Sequence, residues 1–161
     1  MKKLFFLLLI SFSVLSVKAQ DYTTAAGFRG GFPYGITLKH KISDKAALEG
    51  ILGGRWGGAT LTGLYEIHKN AFDTEGLFWY YGAGAHIGFY RFGSVGWGPY
   101  YGSSYYDRTH VSLGIDGIVG IEYQIQEIPI VIGVDYKPGF NFVPLGALWG
   151  EGAISVRYVF N

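Results

Sequence analysis

From Val111 to Ile125 the chain keeps a strict two-residue period, and this feature limits its fold more than any other. Val111, Leu113, Ile115, Gly117, Val119, Ile121, Tyr123 and Ile125 share one parity; Ser112, Gly114, Asp116, Ile118, Gly120, Glu122 and Gln124 share the other. Successive side chains of an extended strand point to opposite faces, so such a stretch reads as one long β-strand. The last segment repeats the pattern, with Ile154, Val156, Tyr158 and Phe160 on one face and Glu151, Ala153, Ser155 and Arg157 on the other. Beyond residue 20 no apolar run approaches the roughly 20 residues that a membrane-spanning helix needs. An apolar chain of this kind is predicted to be all-β.

The same period predicts eight strands, at approximately 23–31, 35–42, 46–56, 59–69, 77–90, 110–125, 129–140 and 149–160. Their connections fall into two sets. Ser43-Asp44-Lys45, Asn70 to Gly76 and Gln126-Glu127-Ile128 lie at one end; Phe32-Pro33-Tyr34, Gly57-Gly58, a long Arg91–Thr109 loop and Asn141 to Leu148 lie at the other. An even strand number with one set of short turns fits an antiparallel up-and-down transmembrane β-barrel. Both termini then face the periplasm and the long loop faces outside.

Alternation alone does not say which face lines the lumen, since a soluble lipocalin-like barrel is apolar inside and a membrane barrel is polar inside. The polar face is rich in small residues, and the 26 glycines of the chain are roughly twice average usage. Its charges also balance: Arg29, Lys39, Lys41, Arg55, Lys137 and Arg157 share it with Glu49, Glu66, Asp116, Glu122, Asp135 and Glu151. Trp56, Trp79, Tyr123, Tyr136, Tyr158 and Phe160 sit on the apolar face near strand ends, where interfacial aromatics collect. The polar face is therefore assigned to the lumen.

Residues 1–19 read as a cleavable signal peptide ahead of a barrel domain at 20–161. Lys2 and Lys3 precede an apolar Leu4–Leu15 run, and Val17-Lys18-Ala19 places small or modest residues at the cleavage positions. Without the leader, ten basic residues face twelve acidic ones, a balance that argues against nucleic acid as a partner. The chain has no cysteine, which excludes disulfides, thiolate chemistry and a lipoprotein anchor.

With these residues in place, the chain resembles the OmpA/OmpX-like family of small outer-membrane barrels. The resemblance runs along residues 20–161 as a pattern. Its most specific stretch is Gly114-Ile115-Asp116-Gly117-Ile118-Val119-Gly120-Ile121-Glu122-Tyr123, followed by Pro129-Ile130 and by Asp135-Tyr136-Lys137-Pro138. Phe160, preceded at alternate positions by Tyr158, Val156 and Ile154, looks like the C-terminal signature read by the barrel-assembly machinery, although Asn161 follows it here. The resemblance implies a Gram-negative outer membrane with its lipids as surroundings. It also implies a lumen filled by side chains and a structural, adhesive or defensive role, with no shared catalytic residues.

Several constellations of residues bear on chemistry. The inward charges should pair, because a buried charge is costly alone. The Ser43-Asp44-Lys45 turn sets Lys39 opposite Glu49, and the Gln126-Glu127-Ile128 turn sets Lys137 diagonal to Asp116. Their bland reading is a plug that orders the lumen; the sharper one is an ion or proton path through a narrow pore. His40, His68, His86 and His110 are not spaced for a metal site, and no cofactor is expected. His110-Val111-Ser112 with Glu122 is similar to the His-x-Ser pair and later Glu of lipid A 3-O-deacylases. Yet Glu122 stands roughly 33 Å from Ser112 along an extended strand, and their parity points into the lumen. Gly82-Ala83-Gly84-Ala85-His86-Ile87-Gly88 is not a nucleotide fingerprint, since no G-x-G-x-x-G and no helix is present. The Arg91–Thr109 loop places Phe92, Trp97, Tyr100, Tyr101, Tyr105 and Tyr106 among Gly and Ser, a mixture suited to binding an extracellular partner. The same aromatics would also serve as a continuation of the interfacial belt. The leading reading is a non-enzymatic barrel; its rivals are a pore for small solutes and a lipid A-modifying enzyme.

Overall fold

The computed structural model describes residues 23–31, 34–55, 58–91, 109–143 and 148–160. The leader at 1–19, Trp56, and Phe92, Trp97, Tyr100, Tyr101, Tyr105 and Tyr106 of the long loop lie outside the described residues, as do the side chains of Arg55 and His110.

Eight strands follow one another: β1 (Thr24–Gly31), β2 (Tyr34–Ser43), β3 (Ala46–Arg55), β4 (Gly58–Asn70), β5 (Leu77–Arg91), β6 (Thr109–Ile125), β7 (Ile130–Val143) and β8 (Leu148–Phe160). Each pairs antiparallel with its sequence neighbour. β1 closes on β8 from Thr24↔Phe160 to Gly31↔Ala153, so the order is a closed β1-to-β8 barrel. Closure gives every strand two hydrogen-bonded partners and leaves no open edge. There is no helix among the described residues.

These are the eight strands that the period predicts, with changes at their ends that have local causes. Strand seven starts at Ile130, not at 129, because Pro129 has no N–H for the ladder; its carbonyl instead accepts from the Val159 N–H at 2.9 Å. At its other end β7 runs on to Val143. A register shift lets Leu113 pair Val143 while Gly114 pairs Asn141, so the expected 141–148 connection shrinks to 144–147. Gly58, expected in a turn with Gly57, opens β4 opposite Arg55. In the 71–76 turn Phe72 and Asp73 have φ of 54° and 51°, and Gly76 leaves it with φ of 79°. Glycine holds that last conformation without a Cβ penalty.

The two faces of the wall differ in kind. Outward stand Phe28, Ile36, Leu38, Leu52, Leu61, Ile115, Val134, Ile154 and Val156, each two-fifths exposed or more. Inward stand Arg29, Lys39, Lys41, Glu49, Glu66, Asp116, Glu122, Asp135, Lys137, Glu151 and Arg157, none more than 8% exposed. Lys69 is the one charged side chain on the outer face of a strand among those described. The interior also holds apolar groups: Ala25, Val131 and Val159 form one cluster, and Ile51, Leu64, Tyr80 and Ile118 another.

Candidate functional site in the lumen

The inward charges gather in two clusters. The larger is nearer the chain termini and centres on Lys39 of β2. Its ammonium lies 2.7 Å from Glu66 on β4 and 3.2 Å from both Glu49 on β3 and Glu122 on β6. Arg157 of β8 reaches the same acids from the other side, 3.0 Å from Glu49 and 3.4 Å from Glu122. The Thr37 hydroxyl donates to Glu49. Five strands therefore send ionic groups to one point inside the barrel.

Two aromatic rings complete that centre. Tyr80, wholly buried, lies with its ring centroid 3.9 Å from the Lys39 ammonium. The His68 imidazole stacks on it at 5.0 Å and 16°. One His68 nitrogen is 3.0 Å from Glu66 and the other 3.4 Å from Glu122. The Tyr80 hydroxyl donates to Asp135 at 3.4 Å, and Asp135 takes a two-pronged pair from Arg29 at 2.5 Å. Such fork-to-carboxylate geometry is the strong form of ion pair. Tyr80 fits because the residue opposite it is Gly120: a methyl group there would lie 2.6 Å from the ring.

The second cluster is nearer the 91–109 end. Lys137 of β7 lies 3.0 Å from Asp116 and 3.1 Å from Glu151. Asp116 also meets His86 Nδ1 at 2.8 Å, while His86 Nε2 is 2.8 Å from Asn141 Oδ1. Ile51, Leu64 and Ile118 stand between the clusters along β3, β4 and β6; on β7 the clusters come within two residues, Asp135 and Lys137.

The two register pairings read from turn geometry are present as contacts: Lys39 with Glu49 at 3.2 Å and Lys137 with Asp116 at 3.0 Å. Lys41 is inward as well, with its ammonium 4.7 Å from the Phe78 ring centroid. The sequence pattern leaves Tyr80, Thr37 and Asn141 out of the network, and it considers His68 and His86 only as metal ligands, a role their spacing speaks against. A usable signal was present: His68 shares the inward parity of Glu66 on β4, and His86 lies inward on β5, which pairs with the strand that carries Asp116.

The arrangement offers little nucleophilic chemistry. Ser112 is 3% exposed and its hydroxyl has no partner among the described residues. Glu122 is committed to Lys39, Arg157 and His68. The ring on the strand beside Ser112 is His86, which lies over Gly114 and is held by Asp116 and Asn141. No group of three or more His, Asp or Glu side chains is placed to hold a metal ion among the described residues, and the acids gathered at Lys39 surround its ammonium. Arg29, Lys39, Lys137, Arg157, Tyr80, His68, Glu49, Glu66 and Glu122 are nearly inaccessible to water, so they fill the lumen instead of lining an opening through it.

No protein-family model matches the chain, and no curated protein sequence does. Among solved structures it is similar to the N-terminal β-barrel domain of Pseudomonas aeruginosa OprF, with a TM-score of 0.65 at 14% sequence identity. That match covers 88% of this chain and 100% of the other. At this identity the likeness is one of fold.

Proposed function

We propose that the chain is an integral outer-membrane barrel of the OmpA/OmpX-like kind, neither an enzyme nor an open pore, with a structural or surface-interaction role. One observation carries this reading: the wall is apolar outside and ionic inside. Water would not tolerate that exterior over the whole circumference, and a lipid bilayer would require it, together with closure of every edge. The fold shared with the OprF barrel domain is consistent with it. In this reading residues 1–19 are removed on export, the barrel-assembly machinery receives the Phe160 end, and both termini lie in the periplasm. The Arg91–Thr109 loop then meets the outside and offers its aromatics to an extracellular partner.

The test has two arms. Purified protein in planar bilayers is expected to give no large, stable single-channel conductance, because an eight-strand interior is just wide enough for side chains to fill. Deleting residues 92–108 is expected to abolish surface adhesion or defence phenotypes while the barrel still assembles. A sustained conductance overturns the closed lumen. A lipid A acyl chain that is missing from wild-type cells and restored in a Ser112→Ala strain overturns the non-enzymatic reading.

A further inference from the structure

Lys69 is conspicuous on the outer wall. It is the last residue but one of β4 and the one described charged side chain facing outward from a strand, surrounded on its own face by Tyr65, Ile67, Trp79, Tyr81 and Ile121. Its side chain does not simply run past the barrel rim into water, as long basic side chains at such places do. Trp79 is its cross-strand partner and Tyr81 lies two residues further from the 71–76 turn. The ammonium is 5.4 Å from the Trp79 ring centroid and 5.7 Å from that of Tyr81. It is thus turned back toward the apolar band, over both rings. The rings are themselves stacked at 5.3 Å and 27°, which makes them a single seat.

We propose that Lys69, Trp79 and Tyr81 form a binding site for the phosphate of a phospholipid with a net-negative headgroup. This inference rests on the membrane reading above. An ammonium over two aromatic faces is attracted by their quadrupoles but keeps its N–H donors free, since rings satisfy charge and not hydrogen bonds. Those donors face the zone where headgroup phosphates of the terminus-side leaflet would lie. Ile67, Ile121 and Val119, level with or above the rings, continue the surface on which the acyl chains of the same lipid would rest. A second cation is close: the Lys45 carbonyl accepts from the His68 N–H at 2.8 Å, which puts the exposed Lys45 beside the end of β4. The described acidic residues of that rim, Asp44, Asp73, Glu75 and Glu127, belong to turns beyond the strand ends and are exposed. Charge, aromatic seat and apolar continuation together match an anionic glycerophospholipid better than a protein partner, which would need a broader polar surface.

The test is native mass spectrometry of the full chain released from neutral detergent micelles after titration with phosphatidylglycerol or phosphatidylcholine. Wild-type protein is expected to retain one phosphatidylglycerol in preference to phosphatidylcholine. Lys69→Gln should reduce that preference about fivefold, the factor associated with one lysine at an anionic lipid surface. Trp79→Leu should reduce it as well, while circular dichroism reports an intact barrel for both. Lys45→Gln, which lacks the aromatic seat, should have the smaller effect. An undiminished preference in Lys69→Gln overturns the site, as does equal retention of the two lipids by a barrel that requires detergent. A chain that stays monodisperse without detergent or lipid overturns the membrane reading itself, and the site with it.

Discussion

Replacing Lys39 by methionine removes one ammonium and keeps nearly all of its aliphatic stem. The packing around Tyr80 is then little changed, and the loss is almost purely electrostatic. In the native barrel that ammonium is within 3.2 Å of Glu49, Glu66 and Glu122, all of them buried. Without it, Glu49 and Glu122 keep Arg157, and Glu66 keeps only His68 among the contacts described above. Breaking a buried ion pair from one side costs about 3–5 kcal/mol, since a charge is left behind without its counter-charge. Three acids around one base put Lys39→Met toward the upper end of that range. Equilibrium urea unfolding in phospholipid vesicles, followed by tryptophan fluorescence, measures it. With a urea slope of about 1–3 kcal/mol per molar, the midpoint should fall by more than about 1 M. The second half of the argument concerns Glu66. Combining Lys39→Met with Glu66→Gln removes one of the stranded charges, so the double variant should be more stable than Lys39→Met alone, with a coupling of about 1–3 kcal/mol. A Lys39→Met barrel within about 1 kcal/mol of wild type would refute the reasoning, as would a double variant less stable than the single one.

Gly120→Ala should destabilise the barrel by about 1–3 kcal/mol, because the new methyl group would lie 2.6 Å from the Tyr80 ring and 2.8 Å from Asp135 Cβ. Gly50→Ala, whose methyl group would meet no atom within 4 Å, should stay within about 0.5 kcal/mol; the same urea titration compares them. Ile154→Lys places a charge on the outer wall at a residue 57% exposed, and should cost about 2–4 kcal/mol in a bilayer. If Ile154→Lys leaves stability in vesicles unchanged, that wall does not face lipid. Asp116→Asn takes one partner from both Lys137 and His86 and should lower the urea midpoint, while Asn141→Ala, which touches only His86 among the contacts described above, should lower it less.

The strands and their two faces were legible in the sequence because period-two alternation carries them directly, and the balanced charges on one face marked it as the lumen. The pairs Lys39–Glu49 and Lys137–Asp116 were legible too, since a short turn fixes the register of its two strands. What joins Glu66, Glu122 and Arg157 to Lys39 was not. Those contacts cross the lumen between strands that are not neighbours, and alternation says which face a residue occupies without saying how deep in the barrel it sits. Tyr80 was hidden for another reason. In Phe78-Trp79-Tyr80-Tyr81 every residue is aromatic, so no contrast marks which members turn inward. The decisive cue is on the partner strand, where Gly120 leaves the space that the Tyr80 ring takes.

The division of the lumen into two charge clusters bears on where activity can reside. A solute crossing the barrel would have to pass the Ala25, Val131 and Val159 cluster, the centre around Lys39, the layer of Ile51, Leu64 and Ile118, and then the Lys137 cluster. Each ionic group of those two clusters is already held by an opposite charge within about hydrogen-bonding distance. Freeing one to coordinate a passing ion would strand its partner in a dry interior, at a cost of several kcal/mol per charge. The same pairing fixes the side chains in place, which gives a small barrel rigidity in place of a core of apolar packing. A wall so ordered from within is suited to carrying binding surfaces on its outside. On the reading proposed above, two such surfaces are the Lys69 seat on the outer wall and the tyrosine-rich 91–109 segment. Selective loss of lipid preference in Lys69→Gln, with adhesion retained, would separate the first from the second.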